Sequence, residues 1–142
     1  MLKKFVIKDD FIDYNDFVNN YRINMPEDFN FSYDVVDKIA EQEPDRLAMV
    51  WCDDNGNEAF FTFEQMRVYS NKAANFFKSL GIKKGDPVML ILKRRYEFWF
   101  CLLGLHKLGA VTIPATHLLT AKDIIYRNNA ADIKMVVTVP ED

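Results

Sequence analysis

The 142-residue chain is poor in the residues that usually announce chemistry. It has five glycines, at positions 56, 81, 85, 104 and 109, so neither Gly-x-Gly-x-x-Gly nor Gly-x-x-x-x-Gly-Lys can be written from it. That removes the two commonest backbone cradles for phosphate. No Gly-x-Ser-x-Gly occurs, which removes the strained elbow that presents a nucleophilic serine. Cysteine is scarce too. Cys52 and Cys101 are the only two, no Cys-x-x-Cys is present, and His106 and His117 lack the paired spacing of zinc ligands. No metal centre is expected. Both cysteines read as reduced core residues, one on a strand and one inside an apolar helix where a thiol is a poor nucleophile. The longest strongly apolar stretch, residues 98–105, is too short to cross a bilayer. Acids number 21 and Lys plus Arg 18, interspersed for a net charge of -3, and no basic face marks a nucleic-acid partner. Lys3 and Lys4 precede Phe5-Val6-Ile7, but Lys8, Asp9 and Asp10 follow too soon for a signal-peptide core, so a cytoplasmic location is the expectation.

What is present is apolar patterning. Hydrophobic residues make up 49% of the chain, enough for one domain with a real core. Residues 87–139 read as strand, helix, strand, helix, strand. Val88-Met89-Leu90-Ile91-Leu92 has no polar position, the pattern of a parallel strand covered on both faces. Residues 96–108 are apolar almost all the way round, which describes a helix buried on more than one side. Gly109 closes it, Val111-Thr112-Ile113 is a second strand, and Pro114 ends that strand. Thr120 caps a third unit with Asp123, Leu119 and Ile124 form a hydrophobic staple, and Met135-Val136-Val137-Thr138-Val139 is the last strand. Right-handed crossovers place the three strands parallel in one sheet.

Upstream, residues 9–23 read as an amphipathic helix carrying Phe11, Tyr14, Phe17, Val18 and Tyr21. Ser32 reads as the cap of a second helix whose inner stripe is Val35, Val36, Ile39 and Ala40, ended by Pro44. Two β-rich runs, residues 47–51 and 59–63, flank Asn55-Gly56 and predict an antiparallel hairpin. Thr62 with Gln65 forms a capping box, and Phe61 with Met66 a staple, at the start of a helix that Gly81 terminates. Its small Ser70 and Ala73 imply close approach to another element. The fold class is therefore α/β: a parallel βαβαβ sheet flanked by helices and preceded by a hairpin and N-terminal helices. No internal boundary is visible beyond a helical lead-in, residues 1–28, before residues 29–142.

Three features could carry function. Asp53 and Asp54 follow a strand as a phosphoacceptor pair would, but the hairpin turn makes them solvated turn residues. Lys93, Arg94 and Arg95 stand between a parallel strand and its helix, where an anion is welcome; a solvated rim is the plainer reading. Ala115, Thr116 and His117 follow the second parallel strand, and open α/β sheets bind ligands beyond the carboxyl ends of their strands.

Thr62-Phe63-Glu64-Gln65-Met66, Leu80-Gly81-Ile82-Lys83-Lys84-Gly85-Asp86 and Gly104-Leu105-His106-Lys107-Leu108-Gly109-Ala110-Val111-Thr112-Ile113-Pro114 resemble, in order and spacing, the N-terminal motifs of the adenylate-forming (AMP-binding) enzymes. Residues 118–127, Leu-Leu-Thr-Ala-Lys-Asp-Ile-Ile-Tyr-Arg, are most similar to acetyl-CoA and medium-chain acyl-CoA synthetases. The resemblance runs from about Phe29 to the end. It implies a parent acid-thiol ligase that uses ATP, Mg2+ and CoA: a carboxylate attacks the α-phosphate of ATP, and the CoA thiol then displaces AMP from the acyl-adenylate. In that family the phosphate loop, the nucleotide-binding residues and the lid lysine lie further along the chain, so no catalytic residue is named here. The segment alone is expected to be inactive and to bind those cofactors poorly. By the same resemblance Thr116 and His117 lie near the CoA route. The partners implied are a small carboxylic acid, CoA and the remainder of such a chain.

The apolar surface of residues 96–108 and the uncovered last strand further suggest self-association, or a part of a larger subdomain. The alternatives are a free-standing α/β binding or regulatory module without catalytic activity and a structural fragment with no role of its own.

Overall fold

The computed structural model describes residues 5–140, so Lys3 and Lys4 at one end and Glu141 and Asp142 at the other lie outside the described residues. The first element is α1, Tyr14–Asn20. It is shorter than the helix expected over 9–23, because Asp13 caps it by accepting from the Asp16 N–H at 2.8 Å. The Asp16 carboxylate in turn holds the incoming chain, accepting from Ile12 N–H at 3.0 Å and from Lys8 Nζ at 2.6 Å. Those bonds lower its pKa to about 2. The lead-in closes on itself through a bridge between Val6 and Ile23, and Phe17 stacks on Tyr21 while Phe11 meets Phe17 edge to face. α1 buries no residue.

A π-helical turn, Ser32–Asp37, then runs directly into α2, Lys38–Gln42. The expectation that Ser32 caps this helix is corrected here. Ser32 is fully buried and its hydroxyl donates to the Leu103 carbonyl at 3.0 Å. Asn30 does the capping instead, with its side-chain oxygen accepting from Ser32 N–H at 3.0 Å while Asp34 accepts from Asn30 N–H at 2.8 Å. Asn30 was unreadable as a cap because Phe31 and Ser32 follow it without a helical pattern. Of the inner stripe, Val36, Ile39 and Ala40 are buried, while Val35 is only half-buried.

β1, Leu47–Cys52, and β2, Glu58–Thr62, form the antiparallel hairpin, with Gly56 at φ 82° in the turn. Asp53 organises that turn by accepting from the backbones of Asn55 and Asn57, each at 2.9 Å. α3, Phe63–Ser79, starts at the capping box of Thr62 and Gln65. β3, Pro87–Ile91, α4, Glu97–Leu108, β4, Val111–Pro114, α5, Ala121–Ala131, and β5, Met135–Thr138, complete the chain. The three strands are parallel in the order β4-β3-β5, with Val88 opposite both Thr112 and Met135.

α4 joins two cores, as its all-round apolar sequence requires. On one side Leu105 packs with Val88, Leu90, Leu92 and Phe77 beneath the parallel sheet. On the other, Phe100 and Leu103 pack with Val36, Phe61 and Met66 beneath the hairpin. Cys101 is half-buried against the core beneath the parallel sheet, but Cys52 is exposed at the end of β1, which corrects its reading as a core residue. Alternation along the hairpin turns Cys52 to the outer face, where no described residue covers it.

α3 reaches α4 where its small residues are. A Cβ on Gly104 would stand 2.8 Å from both the Ala73 Cβ and the Ala74 backbone nitrogen, and 3.0 Å from the Ser70 carbonyl oxygen. Gly104→Ala is therefore expected to lower stability by about 1–3 kcal/mol through overpacking. An open helix site would instead gain about 1 kcal/mol from the same change. Urea denaturation of the two chains decides between the signs.

Candidate functional site

The parallel sheet creates a small crevice. From β3 the chain crosses to β4 on one side, and from β4 it returns past β3 to β5 on the other. Chains leaving the sheet diverge at such a reversal, and the gap opens beyond the carboxyl ends of the strands. The crevice there encloses about 220 Å3. Ile91 at the end of β3, Thr138 at the end of β5, and the staple residues Leu119 and Ile124 make its walls. Lys93, Thr116 and His117 supply its polar groups.

Each is held by its local backbone. Lys93 sits at φ 51°, a left-handed conformation uncommon for a residue with a side chain, immediately after the strand turns out of the sheet. The loop after β4 is tied to β3 by Ala115 N–H donating to the Leu90 carbonyl at 2.9 Å. Thr116 Oγ1 accepts from Leu118 N–H at 3.2 Å, which leaves the hydroxyl proton available to a ligand. The loop then enters α5 through the second capping box. Thr120 Oγ1 accepts from Asp123 N–H at 3.3 Å, and Asp123 accepts from Thr120 N–H at 2.9 Å. The Thr120 hydroxyl also donates to the Asp123 carboxylate at 2.7 Å, and this bond, with the one from Thr120 N–H, lowers the Asp123 pKa. The crevice thus offers one cation, one imidazole and the hydroxyls of Thr116 and Thr138 beside an apolar wall. That set suits a slender polar ligand carrying acceptors.

The basic triplet read from the sequence is divided by the fold. Lys93 enters the crevice. Arg94 and Arg95 instead line a separate cleft of about 480 Å3 beside the hairpin, together with Asp53, Asp54 and Glu97. Trp51 Nε1 donates to the Arg94 carbonyl at 2.6 Å and fixes that loop against the strand. Acids face bases across this cleft, so it is not an anion site, and both arginines are exposed as a solvated rim. Asp53 is committed to its turn. Among the described residues no group of three or more His, Cys, Asp or Glu side chains could hold a metal ion, and no helix is long and apolar enough to cross a membrane.

One functional group went unread in the sequence. Lys107, on the apolar helix α4, is buried, and its ammonium donates to both Asp37 carboxylate oxygens at 2.8 Å and to Asn71 Oδ1 at 2.7 Å. It lies well away in sequence from both partners, and no local pattern marks it.

Cys101 is pushed from the ordinary 9.0 up to about 11, first by burial and then by the nearby Glu97 charge. Alkylation at mildly alkaline pH is expected to label Cys52 rapidly and Cys101 slowly; equal rates would overturn the assignment. Because the folded thiol titrates above the unfolded one, its contribution to stability is complete below pH 9.0 and lost as the pH rises towards about 11.

Comparison with known proteins identifies the family. The family model described as AMP-binding enzyme matches residues 36–142. The chain is 38% identical over 120 residues to acyl-coenzyme A synthetase ACSM5, mitochondrial, of Rattus norvegicus, covering 80% of this chain and 21% of that protein. It is 34% identical over 134 residues to acyl-coenzyme A synthetase ACSM3, mitochondrial, of Homo sapiens, covering 90% of this chain and 23% of that one. Among solved structures, an acyl-CoA synthetase from Brucella canis superposes with a TM-score of 0.74 at 27% identity, over 81% of this chain and 21% of its own. The N-terminal domain of FACL13 from Mycobacterium tuberculosis superposes with a TM-score of 0.69 at 28% identity, over 77% and 26%. The chain thus spans between a fifth and a quarter of the length of these curated relatives.

Proposed function

Because the chain belongs to the AMP-binding enzyme family, we propose that it builds the opening part of the large domain of an ATP-dependent acyl-CoA synthetase, with the loop after β4 beside the CoA path. The parent reaction joins a carboxylic acid to CoA. The acid attacks the α-phosphate of ATP, pyrophosphate leaves, and the CoA thiol then takes the acyl group from the adenylate and releases AMP. Magnesium supplies charge neutralisation at the triphosphate when bound. The positive-φ glycines of this chain, at 56, 81, 85 and 109, sit singly in turns, so no phosphate cradle for ATP is assigned to it.

A single observation carries the site: Thr116 and His117 share one crevice with Lys93 at the carboxyl ends of parallel strands. Its volume suits the narrow pantetheine arm of CoA and not the nucleotide. The Thr116 hydroxyl can donate to a pantetheine carbonyl, and His117 can hydrogen-bond to an amide. The lead-in, residues 1–28, lines none of the crevice with its described residues, and residues 29–142 form the family-like segment.

The test uses a ligase of full family length that contains this segment. His117→Ala is expected to raise the KM for CoA severalfold while leaving that for ATP, and carboxylate-dependent pyrophosphate exchange, near the parent values. Unchanged CoA kinetics would remove His117 from the path. Absence of pyrophosphate exchange in the parent itself would sink the ligase reading and favour a non-catalytic binding module.

A further inference from the structure

We propose that Lys93 grips the phosphate ester at the end of the pantetheine arm, so that the crevice selects phosphorylated thiol donors over pantetheine itself. This rests on the reading of the loop after β4 as the CoA path. The triplet Lys93, Arg94 and Arg95 is divided between two recesses of different charge. The cleft that takes both arginines also holds Asp53, Asp54 and Glu97, and Arg95 stands 4.0 Å from the Glu97 carboxylate. Among the described residues no carboxylate lines the crevice that takes Lys93. Asp123, just beyond its wall, is turned into its own helix cap by the N–H and hydroxyl of Thr120. The Lys93 ammonium has neither a hydrogen bond nor an ion pair among the described residues, so its charge is available to a ligand.

The position of that charge follows from the chain path. Ile91 is buried at the end of β3 and Lys93 is exposed two residues later, so the backbone climbs from the crevice floor to its solvent side. The turn is left-handed at Lys93, with φ 51°. Glycine enters that region freely, whereas a residue with a side chain is strained there. Strain of this kind gathers at ligand clamps, where the direction of a side chain is held at the expense of the backbone. The volume of about 220 Å3 admits the arm, thiol leading, but not the nucleotide. A phosphate at the outer end of the arm therefore stands on the solvent side, where Lys93 is. An ammonium on a phosphate forms a charge-assisted bond, and the apolar wall of Leu119 and Ile124 reduces the water that screens it. Thr116 serves the arm that every pantetheine thiol shares, so it cannot tell one such thiol from another. Lys93 can.

The test uses a ligase of full family length that contains this segment, with CoA, dephospho-CoA, 4′-phosphopantetheine and pantetheine as thiols. KM is read in steady state and Kd by calorimetry. Lys93→Gly removes the ammonium and relaxes the left-handed turn, so the variant should melt close to the parent. It is expected to weaken the phosphorylated thiols about fivefold, the upper range for one partly exposed charge pair, and to leave pantetheine unchanged. Lys93→Arg should keep the preference, since a guanidinium also pairs with phosphate. Lys122→Met, the same loss of charge at an exposed position outside the crevice, should change none of the thiols. A parent that binds pantetheine as tightly as 4′-phosphopantetheine overturns the proposal. So does a Lys93→Gly loss that pantetheine shares, that CoA shows and dephospho-CoA does not, or that Lys122→Met matches. If in those cases His117→Ala still raises the KM for every thiol, the role of Lys93 falls alone. If neither His117→Ala nor Lys93→Gly changes any thiol, the CoA path through this crevice falls and the proposal with it.

Discussion

The absent side chain at Gly104 is the constraint on which the arrangement depends. Without a Cβ at that point, the backbone of α4 lies directly against Ser70, Ala73 and Ala74 of α3. The two helices therefore behave as one slab with two usable faces. One face receives the parallel sheet through Leu105 and Phe77, and the other receives the hairpin through Phe100, Met66 and Phe61. A pair held further apart would open voids in both cores at once, since packing defects are costly wherever side chains interdigitate at native density.

Polar groups then lock the third layer onto this slab. The segment around the π-helical turn is tied to α4 at three heights: Asn30 Nδ2 donates to the His106 carbonyl at 2.6 Å, Ser32 Oγ to the Leu103 carbonyl, and Lys107 to Asp37. A buried ion pair contributes little net stability against an apolar replacement, yet removing one partner alone costs about 3–5 kcal/mol. Its effect here is on geometry. Asn71 accepts a further bond from the same ammonium and so fixes α3, α4 and the π-helical turn relative to one another. The wider turn of a π-helix also places Ser32 and Asp37 on the face that meets α4.

The crevice follows from the same scaffold. Rigid placement of β3 under α4 fixes where Leu92 and Lys93 leave the sheet, and the hydrogen bond from Ala115 to Leu90 draws the loop after β4 beside that exit. The chemistry available there is set by topology. Lys93 is separated in sequence from Thr116 and His117, and only the parallel pairing of β3 with β4 and β5 gathers them.

Much was legible in the residues alone, and for a common reason. The capping boxes at Thr62 and Thr120, the hairpin at Asn55-Gly56, the closure at Gly109 and the three apolar strands all depend on neighbours a few positions apart, so local chemistry suffices to specify them. The small residues of α3 announced a close approach without naming Gly104 as its partner. What stayed hidden depends on distant residues. Ser32 looked like a cap because it precedes a helical stripe, but the buried carbonyl of Leu103 claims its hydroxyl. Cys52 looked internal because its strand is apolar throughout, but a two-stranded hairpin covers only one face. Lys107 became a buried cation only once Asp37 and Asn71 were brought to it, and the triplet Lys93, Arg94 and Arg95 was parted only by the left-handed turn at Lys93. The sequence by itself determined which segments form helices and strands, because those follow from periodicity and capping. Only the tertiary structure decided which polar groups meet, because each of those pairings requires two segments to be packed before the bond can exist.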